Sequence, residues 1–240
     1  MYKWLLDIYG NGSLLDSFTQ FPNYGSDEGR IIVDYNLSEH PFYYFTSSLL
    51  NSVEQESEAL DKAKELLVIF NGVCYLLNLT FTKFIPGSIR PNIYYKQKSD
   101  IAFYAQFRSH IDILMKGRHE HDNYHKVLRL MGRSHKNIQW MDLYKIYEIL
   151  KKKLGEQKLA QITSKKNWNK FTGTANFSIE AGDEARHAIP NKDIKDTMPI
   201  DEARKLIKTA CQNWVEEAFN IKINNKLYFP EYISLDFDNI

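Results

Sequence analysis

An arginine followed directly by a histidine, Arg186-His187, is the pair in this chain best suited to chemistry. It lies in the stretch Thr172–Pro190, which also holds Asn176, Asp183 and Glu184. An imidazole moves protons near neutral pH, and a guanidinium neutralises charge that develops on phosphoryl oxygens. Together they suit phosphodiester chemistry. Asp183 stands four residues before His187, so on a short helix capped at Asp183 the carboxylate would face the ring and fix its tautomer. In that arrangement His187 transfers the proton, Arg186 stabilises the phosphate and Asn176 supplies an orienting hydrogen bond. The competing reading is structural: the same side chains lock the loop between two helices.

Two other places carry usable chemistry. Arg118-His119-Glu120-His121 runs on to His125, and His121 and His125 are one helical turn apart, the spacing at which two imidazoles share a metal. His119 or Asp122 would be a third ligand. Against this stands a plain polar linker with no distant partner motif, and no metal is assigned. From Lys151 to Lys170 the chain holds seven lysines and one glutamate. Lys151, Lys152, Lys165, Lys166 and Lys170 could follow a phosphate backbone while Trp168 stacks a base. A solvated helix face would have the same composition.

The elements that must position these groups follow from periodicity. Lys3–Tyr9, Arg30–Leu37 and Pro41–Thr46 alternate or run apolar with β-branched and aromatic residues between turn signals, which predicts an antiparallel sheet. Leu60, Ala63, Leu67, Phe70, Cys74 and Leu77 recur at helical spacing behind Glu54, Glu56 and Glu58, which predicts a long helix over 53–78 lying across that sheet. Strands are expected again at Thr80–Ile85, Ile93–Gln97 and Ile101–Ile113, with turns at Pro86-Gly87 and Arg90-Pro91. Beyond Gly117 the strand signal stops. A polar stretch, Arg118–His135, leads to helices over Trp140–Leu154, closed by three lysines and Gly155, over Lys158–Thr172, and over Pro199–Asn220. The tail Lys226–Ile240 looks strand-like and is expected to dock on the sheet. The fold class expected is α+β: a β-rich part over 1–117, a helical bundle over 118–225, and that tail.

Composition excludes several classes. With 43% hydrophobic and 25% charged residues the chain is ordinary for a globular protein, and at net charge +1 it has no global field to gather polyanions. Any anion site must be local. Two cysteines, Cys74 and Cys211, cannot form a disulfide scaffold or a metal knuckle. Met1–Tyr9 lacks a charged start and a long apolar run, and no apolar stretch nears the roughly 20 residues of a membrane span, so a cytoplasmic, membrane-free protein is expected. Glycine-rich phosphate loops, nucleophile elbows and zinc-protease helices are missing from the sequence.

The segment around Asn176–Pro190, followed by Met198-Pro199, Glu202-Ala203 and Trp214, resembles the C-terminal end of a bacterial family with the pattern "tAN…GDEARHa…P…EA…L…W". The similarity spans about Ile138–Trp214 and takes in the helix WMDLYKIYEIL, Trp140–Leu150. The helical arrangement also resembles the higher-eukaryote and prokaryote nucleotide-binding (HEPN) domains. That resemblance implies a small helical bundle, a homodimer, and a ribonuclease of toxin or antiviral defence systems that needs no cofactor or metal. Its signature is an arginine separated from a histidine by four to six residues. Arg186 and His187 are adjacent and depart from it, whereas Arg118 to His125 and Arg129 to His135 fit. The function expected is therefore a metal-independent ribonuclease acting on RNA. The alternative is a binding or sensor module in which Asn176, Arg186 and His187 are structural.

Overall fold

The computed structural model describes residues 2–20, 25–35, 41–79, 82–92, 110–119, 122–177 and 196–223. Four strands form one antiparallel sheet: β1 (Trp4–Tyr9), β2 (Arg30–Asp34), β3 (Phe42–Thr46) and β4 (Ile85–Pro91), in the order β2-β3-β1-β4. Seven α-helices are described: α1 (Gly12–Gln20), α2 (Glu56–Leu76), α3 (His110–Gly117), α4 (Asp122–Ser134), α5 (Trp140–Ile162), α6 (Lys165–Phe177) and α7 (Ile200–Phe219).

The pairings Leu6↔Phe45, Ile31↔Phe45 and Leu6↔Ile89 put these apolar side chains on one sheet face, because successive residues of a strand point to opposite sides. That face packs in a core shared with Leu66, Leu67 and Phe70 of α2, where Phe45 and Phe70 stand 5.5 Å apart ring to ring. Leu5, Ile32 and Tyr44 form a second, smaller cluster on the other face, with the Arg90 guanidinium 4.4 Å from the Tyr44 ring. Pro86 and Pro91, expected as turns, are instead members of β4. Among the described residues β4 is an edge strand, so the donors that proline lacks are not needed by a described neighbour.

One buried amide fixes where β4 begins. Asn71 of α2 donates from Nδ2 to the Phe84 carbonyl at 2.9 Å and accepts from the Phe84 N–H at 2.8 Å. Both its hydrogen-bonding ends are thus satisfied inside the core.

Three elements depart from expectation. Gly10-Asn11-Gly12 turns directly into α1, whose start is tied by the Leu14 N–H donating to Asn11 Oδ1 at 3.1 Å. Residues 110–113, expected as strand, open α3. The polar stretch 118–135 contains α4, which buries Tyr124, Val127, Leu128 and Met131 at helical spacing. The strands expected over 93–97 and 101–109, and the tail 226–240, lie outside the described residues. Of the predicted Lys158–Thr172 helix, the first part belongs to α5. Gly155, at φ +74° and ψ 168°, interrupts α5 where the Trp140–Leu154 helix was expected to close, and a second break falls at Thr163-Ser164 before α6.

A boundary at 117 does not describe the packing. One continuous core cluster runs from Trp4 to Ile223, and α2 of the first part lies directly against α4 of the second. The contact is backbone to backbone: a Cβ on Gly132 would sit 1.8 Å from the Val68 carbonyl oxygen, and one on Gly72 would sit 2.2 Å from that of Leu128. Gly117, expected to separate the halves, makes room for the Phe219 ring of α7. The halves share one interior.

Tyr124 shows a defect in that interior. Its ring packs against Trp214 at 5.8 Å and Phe219 at 5.1 Å, but its buried hydroxyl has no hydrogen-bond partner among the described residues. A buried unpaired hydroxyl costs roughly 1–3 kcal/mol. Tyr124→Phe keeps the ring and is expected to stabilise the protein by about 1 kcal/mol, raising Tm by about 2–4 °C. A fall in Tm on thermal melting would mean that the hydroxyl is bonded.

Candidate functional site

Arg186, His187 and Asp183 lie outside the described residues. The described residues on either side in sequence include packing residues. Thr174 is buried, donates to the Lys170 carbonyl and accepts from the Met198 N–H at 2.8 Å, tying α6 to the start of α7. Ala175, Met198, Ala203 and Trp214 are buried in the core. Asn176, on the last turn of α6, has its Oδ1 buried with no hydrogen-bond partner among the described residues.

Two lysines of the predicted path stand beside carboxylates. Lys151 is 3.2 Å from Glu156, and Lys170 is 3.2 Å from Asp196. Lys165 and Lys166 are exposed on the first turn of α6, where the helix dipole disfavours cations. Trp168, expected to stack a base, packs in the core. It is buried among Tyr147 and Phe171 and donates from Nε1 to the Leu159 carbonyl at 2.8 Å. This indole closes the joint between α5 and α6.

Lys152 belongs to a different site. A cleft of about 550 Å³ runs between α4 and α5, with Leu130 and Ile149 among its lining. Lys126, Arg129 and Arg133 line it from α4, and Lys145 and Lys152 from α5, against the single carboxylate of Glu148. The arrangement follows from helical spacing. Residues 126, 129, 130 and 133 share one side of α4, and 145, 148, 149 and 152 share one side of α5. Lys145 is held by Asp142 at 3.2 Å, and Arg129 stands 3.6 Å from Glu65, beyond hydrogen-bonding distance. Lys126, Arg133 and Lys152 have no carboxylate partner among the described residues. Five cations around one acid make a local positive field on a chain of net charge +1.

His125 stands one helical turn before Arg129 on α4, outside the residues that line the groove, and is half-buried. Burial pushes its pKa below the usual histidine value. Arg129 lowers it further, as do Arg118 and His119, while Glu65 opposes them. The ring is therefore neutral at pH 7 and able to accept a proton. Arg118 and His125 do not share a helix, since Arg118 lies in the turn after α3 and His125 on α4. They are nevertheless near enough to interact electrostatically.

Arg118 itself is committed. Its Nη2 meets Glu28 Oε2 at 3.0 Å, with both side chains largely buried, and its Nη1 donates to the Met115 carbonyl at 3.2 Å. His119 Nε2 lies 3.3 Å from the same carboxylate. Of the proposed imidazole cluster, His119 faces Glu28, His125 faces the arginines, and His121 lies outside the described residues. Among the described residues no group of three or more histidine, cysteine or carboxylate side chains is placed to hold a metal. No helix among them is long and apolar enough to cross a membrane.

Comparison with protein-family models, with curated proteins and with solved structures gave no match.

Apart from Lys152 and Arg129, the latter singled out only as half of an arginine–histidine pair, the groove residues were missed by sequence reasoning. The signal was present as Lys126, Arg129 and Arg133 at i, i+3 and i+7, but it was diluted in a stretch read as a polar linker.

Proposed function

We propose that this chain is an RNA-directed, metal-independent endoribonuclease of the HEPN-like class, whose substrate backbone lies in the groove between α4 and α5. The observation that carries this reading is the excess of cations there, three of them without a carboxylate partner among the described residues. Phosphates supply the missing counter-charge, and their binding releases condensed ions. His125, neutral and beside Arg129, takes the proton from a ribose 2′-hydroxyl. That oxygen attacks the adjacent phosphorus, the bond to the 5′-oxygen breaks, and Arg129 stabilises the charge on the phosphoryl oxygens. Arg186 and His187 keep the roles that their side-chain chemistry suggests, so both histidines enter the test.

Fluorescence anisotropy with a labelled single-stranded RNA tests the binding. With three phosphate contacts, log K is expected to fall against log salt with a slope of about −2. Lys126→Glu together with Arg133→Glu is expected to weaken binding by roughly tenfold or more at low salt. Unchanged affinity would remove the groove. Cleavage is tested in excess chelator, with His125→Ala and His187→Ala beside the parent. If His125 is the base, its lowered pKa places the acid limb of the rate profile below pH 6.5, because activity is lost only once the ring protonates.

A second reading, binding without cleavage, is favoured by the burial of Arg118 against Glu28, which removes that guanidinium from any substrate. Under it, both histidine variants bind RNA as the parent does and no variant cleaves.

A further inference from the structure

On α7, residues 204, 208 and 212 follow each other at one-turn intervals on one stripe. Two of the three are fixed by backbone oxygens. Arg204 Nε donates to the Ile138 carbonyl at 2.9 Å, and Gln212 Nε2 donates to the Leu76 carbonyl at 2.7 Å. Lys208, between them, is half-buried, and its Nζ sits 4.0 Å from the centre of the Tyr75 ring. Neither a carboxylate nor a carbonyl of the described residues bonds this amine. An ammonium has three donors and no acceptor, so a half-buried one whose described partner is a ring face is poorly compensated.

We propose that Lys208 is a covalent modification site whose amine is acylated by thioester donors. The neutral amine attacks the thioester carbonyl carbon; the C–N bond forms, the C–S bond breaks, and the thiol departs with the proton that nitrogen loses. The amide that results is uncharged, so it keeps contact with Tyr75 and no longer carries an ion into the α2–α7 joint. Burial supports the same direction of reactivity, pushing the Lys208 pKa down to about 8 and leaving a sizeable neutral fraction at physiological pH. Exposed lysines titrate near 10.4 and present almost none.

The test is acetylation of the folded, full-length chain by the acetyl thioester of N-acetylcysteamine at pH 7.5, read by peptide mass spectrometry over time. Lys208 is expected to react about tenfold faster than the exposed Lys152 and Lys165. In 8 M urea that advantage is expected to disappear, since it comes from the folded environment. Reaction of Lys208 at or below the rate of Lys152 in the folded protein would overturn the assignment, as would an advantage that persists in urea.

Discussion

Gly132→Ala is expected to destabilise the protein by about 3 kcal/mol or more, a loss in Tm on the order of 10 °C. The added methyl would lie 1.8 Å from the Val68 carbonyl oxygen and also within 2.7 Å of the Gly72 backbone nitrogen. Neither neighbour is a side chain that can swing away. Helices α2 and α4 would have to separate, and Leu128 and Met131, which have no exposed surface, would lose their contacts with α2. Alanine is normally the better helix former by up to about 1 kcal/mol, so propensity alone predicts the opposite sign. Gly12→Ala is the control. It is exposed, a Cβ there meets nothing within 4 Å, and it is expected to be neutral or slightly stabilising. Urea unfolding followed by circular dichroism reads both. A Gly132→Ala protein as stable as the parent would mean that the two helices do not meet as described.

The same glycine explains why part of the fold was hidden in the sequence. In 118–135, charged and polar residues outnumber apolar ones, and a glycine inside a helical pattern argues against a helix. The apolar residues 124, 127, 128 and 131 nonetheless keep strict helical spacing, and Gly132 is there because two backbones touch. Where one face of an element was buried and long, as in β1, β2, β3, α2 and α7, the period alone placed it within a few residues. The strand β4 was hidden by its prolines, which read as turns until its position at the sheet edge is known. Helix α3 was hidden because Ile111, Ile113 and Met115 alternate as well as fit a helix, an ambiguity that short apolar runs carry.

The groove was illegible for a different reason. Its cations come from two helices whose packing sets which faces meet, and nothing in either segment alone announces the other. Lys151, Lys152 and Lys153 looked like one unit because they are adjacent in sequence. On a helix they diverge by about 100° each, and Lys152 alone of the three lines the groove. Adjacent charges in sequence are a poor guide to a shared surface. Charges spaced by three, four and seven residues are a better one.

Arg118 is where structure and resemblance pull apart, and the second large effect is expected there. Glu28 stands in the turn Ser26–Gly29, closed by reciprocal backbone hydrogen bonds just before β2, and its carboxylate reaches across to Arg118 after α3. Glu28→Leu leaves the guanidinium, 6% exposed, without that carboxylate. Breaking one side of a buried pair costs about 3 kcal/mol or more, whereas replacing both partners with apolar groups is far cheaper because no orphaned charge remains. Glu28→Leu and Arg118→Met, which each orphan one buried charge, are therefore each expected to lower stability by about 3 kcal/mol. The double variant Glu28→Leu/Arg118→Met is expected to recover most of that loss, a coupling well beyond the few tenths of a kcal/mol seen between independent sites. A catalytic guanidinium behaves otherwise. Its removal would abolish RNA cleavage while leaving the urea midpoint unchanged, and Glu28→Leu would not restore anything. Measuring unfolding and cleavage on the same four proteins separates the two roles, and a stable, inactive Arg118→Met would return this arginine to the active site.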